Sequence, residues 1–205
     1  FSYRTLLELY FSELEKSLKT NNYAFPNQWI VLASSMQRNV LKDIDVPSVE
    51  KVDWEIFYNQ SQIFTRLKYV YALLSVLLLL FAFIEILQAN AAKWIRYILY
   101  FLILILGLAF LIHSFGLGLR WYITGHAPWT NGYEALLLIA WGALLAGFTF
   151  VRSSYITLAA TALLAFFTLM TAGHSSYDPQ LTNLVPVLKS YWLIIHVATL
   201  TISYG

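Results

Sequence analysis

The residues best placed to do chemistry in this chain are four histidines and one crowded turn. His113, His126, His174 and His196 are its imidazoles. Two neutral imidazoles meeting from different helices can hold a haem iron axially. The same groups can relay protons or border a quinone, and spacing alone leaves all three open. With no cysteine, disulfides and thiolate metal sites are excluded. The turn reads Gly125-His-Ala-Pro-Trp-Thr-Asn-Gly-Tyr-Glu134. It gathers His126, Pro128, Trp129, Asn131, Tyr133 and Glu134 where a simple membrane connection needs only turn formers, so it reads as the outer rim of a membrane-embedded site. Glu134 stands where a helix should begin, and a carboxylate there is stabilised by unpaired amides and the helix dipole. Asn131, three residues earlier, suits the N-cap, so capping is preferred to catalysis for Glu134. Trp141 lies two helical turns below Glu134 and shares its face, where it can line the same cavity. Asp178-Pro179 reads as a loop turn.

The elements that must position these groups follow from composition. The chain is 59% hydrophobic and 12% charged, with a mean hydropathy of +0.63, outside the range of ordinary soluble domains. Residues 1–68 hold sixteen of the twenty-four charged side chains, eight of each sign. The other eight are Glu85, Lys93, Arg96, Arg120, Glu134, Arg152, Asp178 and Lys189. A net charge of +2, dispersed in this way, gives no footing for a nucleic-acid partner. The expected architecture is all-α: a polytopic transmembrane helical bundle with a small N-terminal extramembrane cap. The cap covers residues 1–68 and the transmembrane domain residues 69–205.

In the cap, residues 1–20 have helical spacing, with Leu6, Leu7, Tyr10, Leu14 and Leu18 as one stripe. Asn21-Asn22 and Pro26-Asn27 punctuate its end. A second helix follows from Trp29 to about Leu41, then a loop through Asp43, Asp45 and Pro47, then a helix from Val52. Apolar runs at 69–87, 97–119, 135–151 and 155–172, and one starting near Ser190, give about five spans of a ~30 Å hydrocarbon core. In lipid such runs must be helices, because each has to satisfy its own backbone. Residues 89–96, the turn after Gly125, residues 152–154 and the loop 173–189 make the connections.

Lys93, Arg96 and Arg152 lie at one end of the spans, and the positive-inside rule places that end in the cytoplasm. Arg120 and Lys189 flank spans at the other end. Arg66 and Lys68 also sit on the outer side and weigh the other way, within a larger neutral segment. Tyr97, Trp121, Tyr122, Trp129 and Trp192 fall at predicted interfaces, as aromatic belts do. All four histidines then fall in the outer half. His126 and His174 lie in outer loops, His113 in the outer third of the second span, and His196 about 10 Å into the last span. His196 continues as a polar stripe with Thr199 and Ser203 beneath Trp192. An ionisable group within a span normally faces protein or a cavity, so that stripe is expected to face inward. The bland alternatives are a hydrogen-bonded packing role for His113 and ordinary loop roles for His126 and His174.

Two segments also carry a family pattern. Arg120-Trp-Tyr-Ile-Thr-Gly-His126-Ala-Pro128-Trp-Thr-Asn131-Gly-Tyr133-Glu134, followed by an apolar helix with Trp141, resembles cytochrome c biogenesis proteins of the CcsA/CcsBA type (System II, ResC-like). Leu184-Val-Pro186-Val-Leu-Lys-Ser190-Tyr-Trp192-Leu-Ile-Ile-His196-Val resembles the family segment carrying the first of its essential histidines. The resemblance covers about residues 95–205, and only loosely the stretch from Asn59 through Arg66. It implies a protein that binds and transports haem (haem b, held transiently) and presents it at the outer, periplasmic face of the bacterial inner membrane. There it supports thioether attachment to the Cys-x-x-Cys-His sites of apocytochrome c, with a second subunit or fused domain of the synthase as a further partner beside membrane lipid. It implies that His196 is an axial ligand of the haem iron, with Trp192 beside it, and that the turn after Gly125 is the wall of that outer site. The family's tryptophan-rich WWD segment and later histidines, including the expected partner of His196, do not occur in the sequence. Truncation after Gly205 is the expectation. Two alternatives stand beside this reading: a membrane b-type cytochrome using His113 and His196 as a permanent pair, and a haem-free transporter or structural subunit.

Overall fold

The computed structural model describes residues 3–40, 48–88, 93–151, 154–174, 179–181 and 190–203. The expectations for Asp43, Asp45, Pro47, Arg152, Asp178, Lys189 and residues 184–189 of the second family segment lie outside these residues. Among the described residues there are eight helices and no strand, which establishes the all-α class. The chain divides into two compact units, Phe1–Val49 and Glu50–Gly205.

The first unit is a helical hairpin, α1 (Tyr3–Thr20) and α2 (Ala24–Val40). Asn21 takes the left-handed conformation at φ 52°, and the Asn22 side chain accepts the Ala24 N–H at 3.1 Å. That cap starts α2 five residues before the expected Trp29. Pro26 falls in its first turn, where no intrahelical donor is needed. The protected line of α1 runs through Leu6, Tyr10, Leu14 and Ser17, while Leu7 and Leu18 are exposed.

The second unit begins with α3 (Val49–Ser61), so the helix assigned by sequence to the cap shares a compact unit with the spans. Gln62 alone, left-handed at φ 46°, separates α3 from α4 (Ile63–Leu87). There follow α5 (Lys93–Thr124), α6 (Gly132–Thr149), α7 (Tyr155–Ala172) and α8 (Tyr191–Ser203). The helices α4 to α7 are long and apolar enough to cross a membrane. At 1.5 Å per residue α5 runs about 48 Å, longer than a hydrocarbon core, and α8 about 20 Å. Lys93 and Arg96 are therefore helical rather than part of a connection, and Arg96 Nε donates to Glu85 Oε1 at 3.2 Å across the α4–α5 end.

The core forms where α4 packs on α5 and α7, and α6 on α7, α8 and α5. Tyr71 and Leu78 of α4, Leu99 and Leu106 of α5, Leu137 and Leu144 of α6, and Leu158 of α7 are wholly buried. Association of helices in lipid relies on close packing of small residues rather than on hydrophobicity. α7 supplies Ala159, Ala162 and Ala165 on one face, all buried. The opposite faces, with Leu73, Val76 and Leu80 on α4 and Leu104, Leu108 and Leu111 on α5, are exposed, as lipid-facing surfaces are. α6 touches three helices and carries the turn at its start. It is the element on which the site depends.

Candidate functional site

The turn between α5 and α6 is built from its ends. Gly125 sits at φ 72°, a left-handed conformation that closes helices readily only with glycine. Its N–H reaches the Trp121 carbonyl at 2.9 Å. At the other end Asn131 is extended, and its Oδ1 accepts the Glu134 N–H at 2.8 Å, the expected N-cap. Between them His126, Ala127 and Pro128 are buried. The His126 Nδ1 lies 3.1 Å from the Ala127 carbonyl. A carbonyl can only accept, so Nδ1 carries a proton.

Glu134 does more than cap. Its side chain and that of Arg120 have no exposed surface. Arg120 Nε and Nη2 donate to Glu134 Oε1 at 3.3 and 2.9 Å. Nη1 donates to Tyr58 Oη at 2.9 Å and to the Pro179 carbonyl at 3.0 Å, and Nη2 also to the Gln180 carbonyl at 3.4 Å. All five guanidinium N–H groups are thereby used. Glu134 Oε2 accepts the Thr130 N–H and hydroxyl, each at 2.9 Å. The guanidinium lies 5.2 Å from the Tyr133 ring centroid and 5.6 Å from that of Tyr58. A buried pair is tolerable only when its remaining donors and lone pairs are satisfied, and here they are. With no N–H left over, Arg120 is a structural cation that ties α3, α5, α6 and residues 179–180 together. A cavity of about 430 Å³ adjoins this cluster, lined by Tyr58, Gln62, Phe64, Tyr133 and Gln180.

The sequence points to Asn131 and Glu134 but not to Arg120 as the partner of Glu134, nor to Tyr58 as a partner of Arg120. The available signal was the sign of the charges: in a segment so poor in charge, one cation and one anion flank the same turn.

His113 is wholly buried on α5. Its Nε2 lies 3.2 Å from the Leu137 carbonyl and its Nδ1 3.2 Å from Tyr71 Oη, with the Phe64 ring edge-on to it. Nε2–H donates to the carbonyl, and in that tautomer Nδ1 shares the Tyr71 hydroxyl proton with the Ala109 carbonyl, which lies 3.3 Å from Tyr71 Oη. Both nitrogens are occupied, as the packing-residue alternative expects, and neither offers a lone pair to iron in this arrangement. His113→Leu is expected to lower stability by about 1–3 kcal/mol while the full-length protein keeps its haem absorbance. Loss of the Soret band in that variant would restore the paired b-type arrangement.

On α8 the placement differs from expectation. The side chains of Leu193, Ile194, Val197, Ala198 and Thr201 turn toward the bundle, with Thr201 buried. A Cβ on Gly142 of α6 would lie 3.1 Å from the Ile202 side chain, a tight contact, so α8 lies close over α6 at this glycine. Trp192, His196, Thr199 and Ser203 lie on the exposed face. The inward-facing stripe is therefore corrected to an outward-facing one, because the small and apolar residues of α8 fit α6 more closely than the polar ones do. Thr199 and Ser203 return their hydroxyls to the carbonyls of Ile195 and Leu200. The His196 ring makes no hydrogen bond among the described residues.

Trp129 joins the turn to this helix: its Nε1–H donates to the Ile194 carbonyl at 3.1 Å, and its ring meets Trp121 edge-on. Trp141 lies deeper, where its indole donates to Ser114 Oγ at 2.9 Å and stacks on Phe110. Its contacts are with α5 rather than with Glu134. His174 follows α7 and is exposed.

The sequence model of the family described as Cytochrome C assembly protein matches residues 129–205, from the tryptophan that bonds α8 through α8 itself. The chain belongs to that family. Protein NrfI of Wolinella succinogenes is 41% identical over 161 residues, covering 78% of this chain and 18% of that protein. The cytochrome c biogenesis protein CcsA of Prochlorococcus marinus subsp. pastoris is 36% identical over 91 residues, 42% of this chain and 29% of the relative. CcsA of Parasynechococcus marenigrum is 37% identical over 107 residues, 50% of this chain and 35% of the relative. The chain thus spans between about a fifth and a third of the length of these relatives. Family and helices together make it an integral membrane protein of the cytochrome c assembly family. The family match begins inside the turn, so Thr130, Tyr133 and Glu134 fall within it while Arg120 and Tyr58 precede it.

Proposed function

We propose that this protein binds haem through His196 at the periplasmic end of its helices, in the bacterial inner membrane, and presents it for attachment to apocytochrome c. The observation that carries the reading is the state of the His196 ring, exposed on an apolar helix and without a hydrogen bond among the described residues. An imidazole on a membrane helix is stabilised only by a protein, water or metal partner. His113 finds such partners within the bundle, and among the described residues the His196 ring finds none. Its position inside the family-matched segment adds to this, as does the exposed indole of Trp192 one turn earlier, which offers a flat apolar surface for a porphyrin. Haem b, held transiently, is the cargo that fits this pair. When bound, the haem supplies the vinyl groups to which the cysteine thiols of a Cys-x-x-Cys-His site add as thioethers. The residues of this chain would bind and orient it, His196 as the donor to the iron and Trp192 as an apolar surface beside it.

The outward sense of the turn rests on the basic residues at the opposite end, Lys93 and Arg96. A second subunit, or a domain of the same polypeptide, would face the exposed side of α8 and complete the haem surface. The test is His196→Gly in the full-length protein, purified in detergent. The expected result is loss of most co-purified haem and of cytochrome c maturation, with the helical circular dichroism unchanged. Normal haem content, spectrum and maturation in that variant would sink the reading.

A further inference from the structure

We propose that Trp129 is a positioning residue for His196, acting through the backbone of α8. This rests on the reading of His196 as a haem ligand and adds how the ring is aimed. α8 meets the bundle largely through apolar contact, with Ile202 close over Gly142. Such contacts resist separation but fix rotation and height poorly, because dispersion is non-directional. The bond from Trp129 Nε1–H to the Ile194 carbonyl, at 3.1 Å, is directional. A helical carbonyl has two lone pairs, one for the intrahelical bond and one that the indole can take. His196 follows Ile194 by two residues, roughly 200° round the helix and about 3 Å along it. Holding Ile194 against Trp129 therefore turns His196 to the far side, where it is found exposed.

The indole is itself held. The Trp129 N–H reaches the Ala127 carbonyl at 2.9 Å. The neighbouring Thr130 gives both its N–H and its hydroxyl to Glu134 Oε2, each at 2.9 Å. The other oxygen of that carboxylate is fixed by Arg120. An unbroken line of bonded groups therefore runs from the buried ion pair through residues 129–130 to the segment bearing His196.

Trp129→Phe keeps an aromatic ring and removes the donor. In full-length protein, hydrogen–deuterium exchange of the peptide spanning residues 190–203 should be about three- to tenfold faster, the loss of roughly one hydrogen bond. Peptides from α5 and α7 should be unchanged. The Soret band of co-purified haem should broaden or shift, and its reduction potential should move. Thr130→Val, which removes only the hydroxyl donor to Glu134, should change both readouts in the same direction and by less. Unchanged exchange in Trp129→Phe, or faster exchange with an unaltered haem spectrum and potential, would overturn the positioning role. Should Trp129→Phe loosen α5 and α7 as well, Thr130→Val decides, and wild-type behaviour there overturns the proposal. Haem retained in His196→Gly would instead remove the ligand reading, and the exchange measurement would still report on the bond itself.

Discussion

Arg120→Ala is expected to lower the stability of the helical bundle by about 3–5 kcal/mol, the usual result of leaving one member of a buried ion pair behind. The variant strands the Glu134 carboxylate with only Thr130 as donor, and leaves Tyr58 Oη and the carbonyls of Pro179 and Gln180 without their shared partner. The size of the effect comes from burial. The second cross-helix pair, Arg96 with Glu85, has its arginine side chain 61% exposed, and exposed pairs are worth about 0–1 kcal/mol. Arg96→Ala is the matched control and should change stability little. Denaturant unfolding in detergent, followed by circular dichroism, compares the two. Equal effects would mean that the Arg120 pair is solvated. The double variant Arg120→Met with Glu134→Leu should recover part of the loss, since replacing a whole buried pair by apolar groups removes the stranded charge. Recovery should stop short of the parent, because Thr130, Tyr58 and the two loop carbonyls still lose their partners.

That contrast shows which parts of the molecule could be read from sequence. The spans were legible because lipid forces unbroken apolar runs into helices, and the Asn131 cap because capping is local chemistry, three residues long. Arg120 was not legible as the partner of Glu134. Its other acceptors are a tyrosine 62 residues away and two backbone carbonyls, and carbonyls leave no trace in residue types. The stripe of His196, Thr199 and Ser203 was visible as a stripe, but its direction was not. α8 is apolar around most of its circumference, so periodicity names a face without saying what it meets. The deciding groups sit on other elements: Trp129 bonds the Ile194 carbonyl, and Gly142 leaves room for α8 to lie close over α6. α3 was assigned to the extramembrane segment on its polarity. Its Tyr58 nonetheless contributes to the buried cluster at the end of α5, because a phenol can bring an apolar ring and one well-placed oxygen to the same cation.

Gly147→Leu is expected to have the other large effect, through packing alone. A Cβ at Gly147 would overlap the hydroxyl of Thr161, and would lie 3.0 Å from the Thr161 Cβ and 3.1 Å from Leu158 Cδ1. α6 and α7 therefore meet backbone to side chain at this level, and a branched side chain must push them apart. Overpacking typically costs about 1–3 kcal/mol. The upper part of that range is expected here, since Leu158 is itself wholly buried and cannot swing clear. Gly147→Ala should show a smaller loss of the same sign. Gly118→Ala should be neutral to slightly stabilising, because nothing lies within 4 Å of a Cβ there and alanine favours a helix interior over glycine. Unfolding midpoints for the three variants in one detergent provide the check, and a Gly147→Leu midpoint no lower than that of Gly118→Ala would contradict the close approach. The consequence reaches the proposed haem site by a separate route from Arg120. α6 rests on α7 at Gly147, receives α8 at Gly142 and begins at the capped turn that holds Trp129. Displacing its far end tilts the surface on which α8 sits, so Gly147→Leu should also weaken haem retention, although Gly147 has no part in the buried ion-pair network.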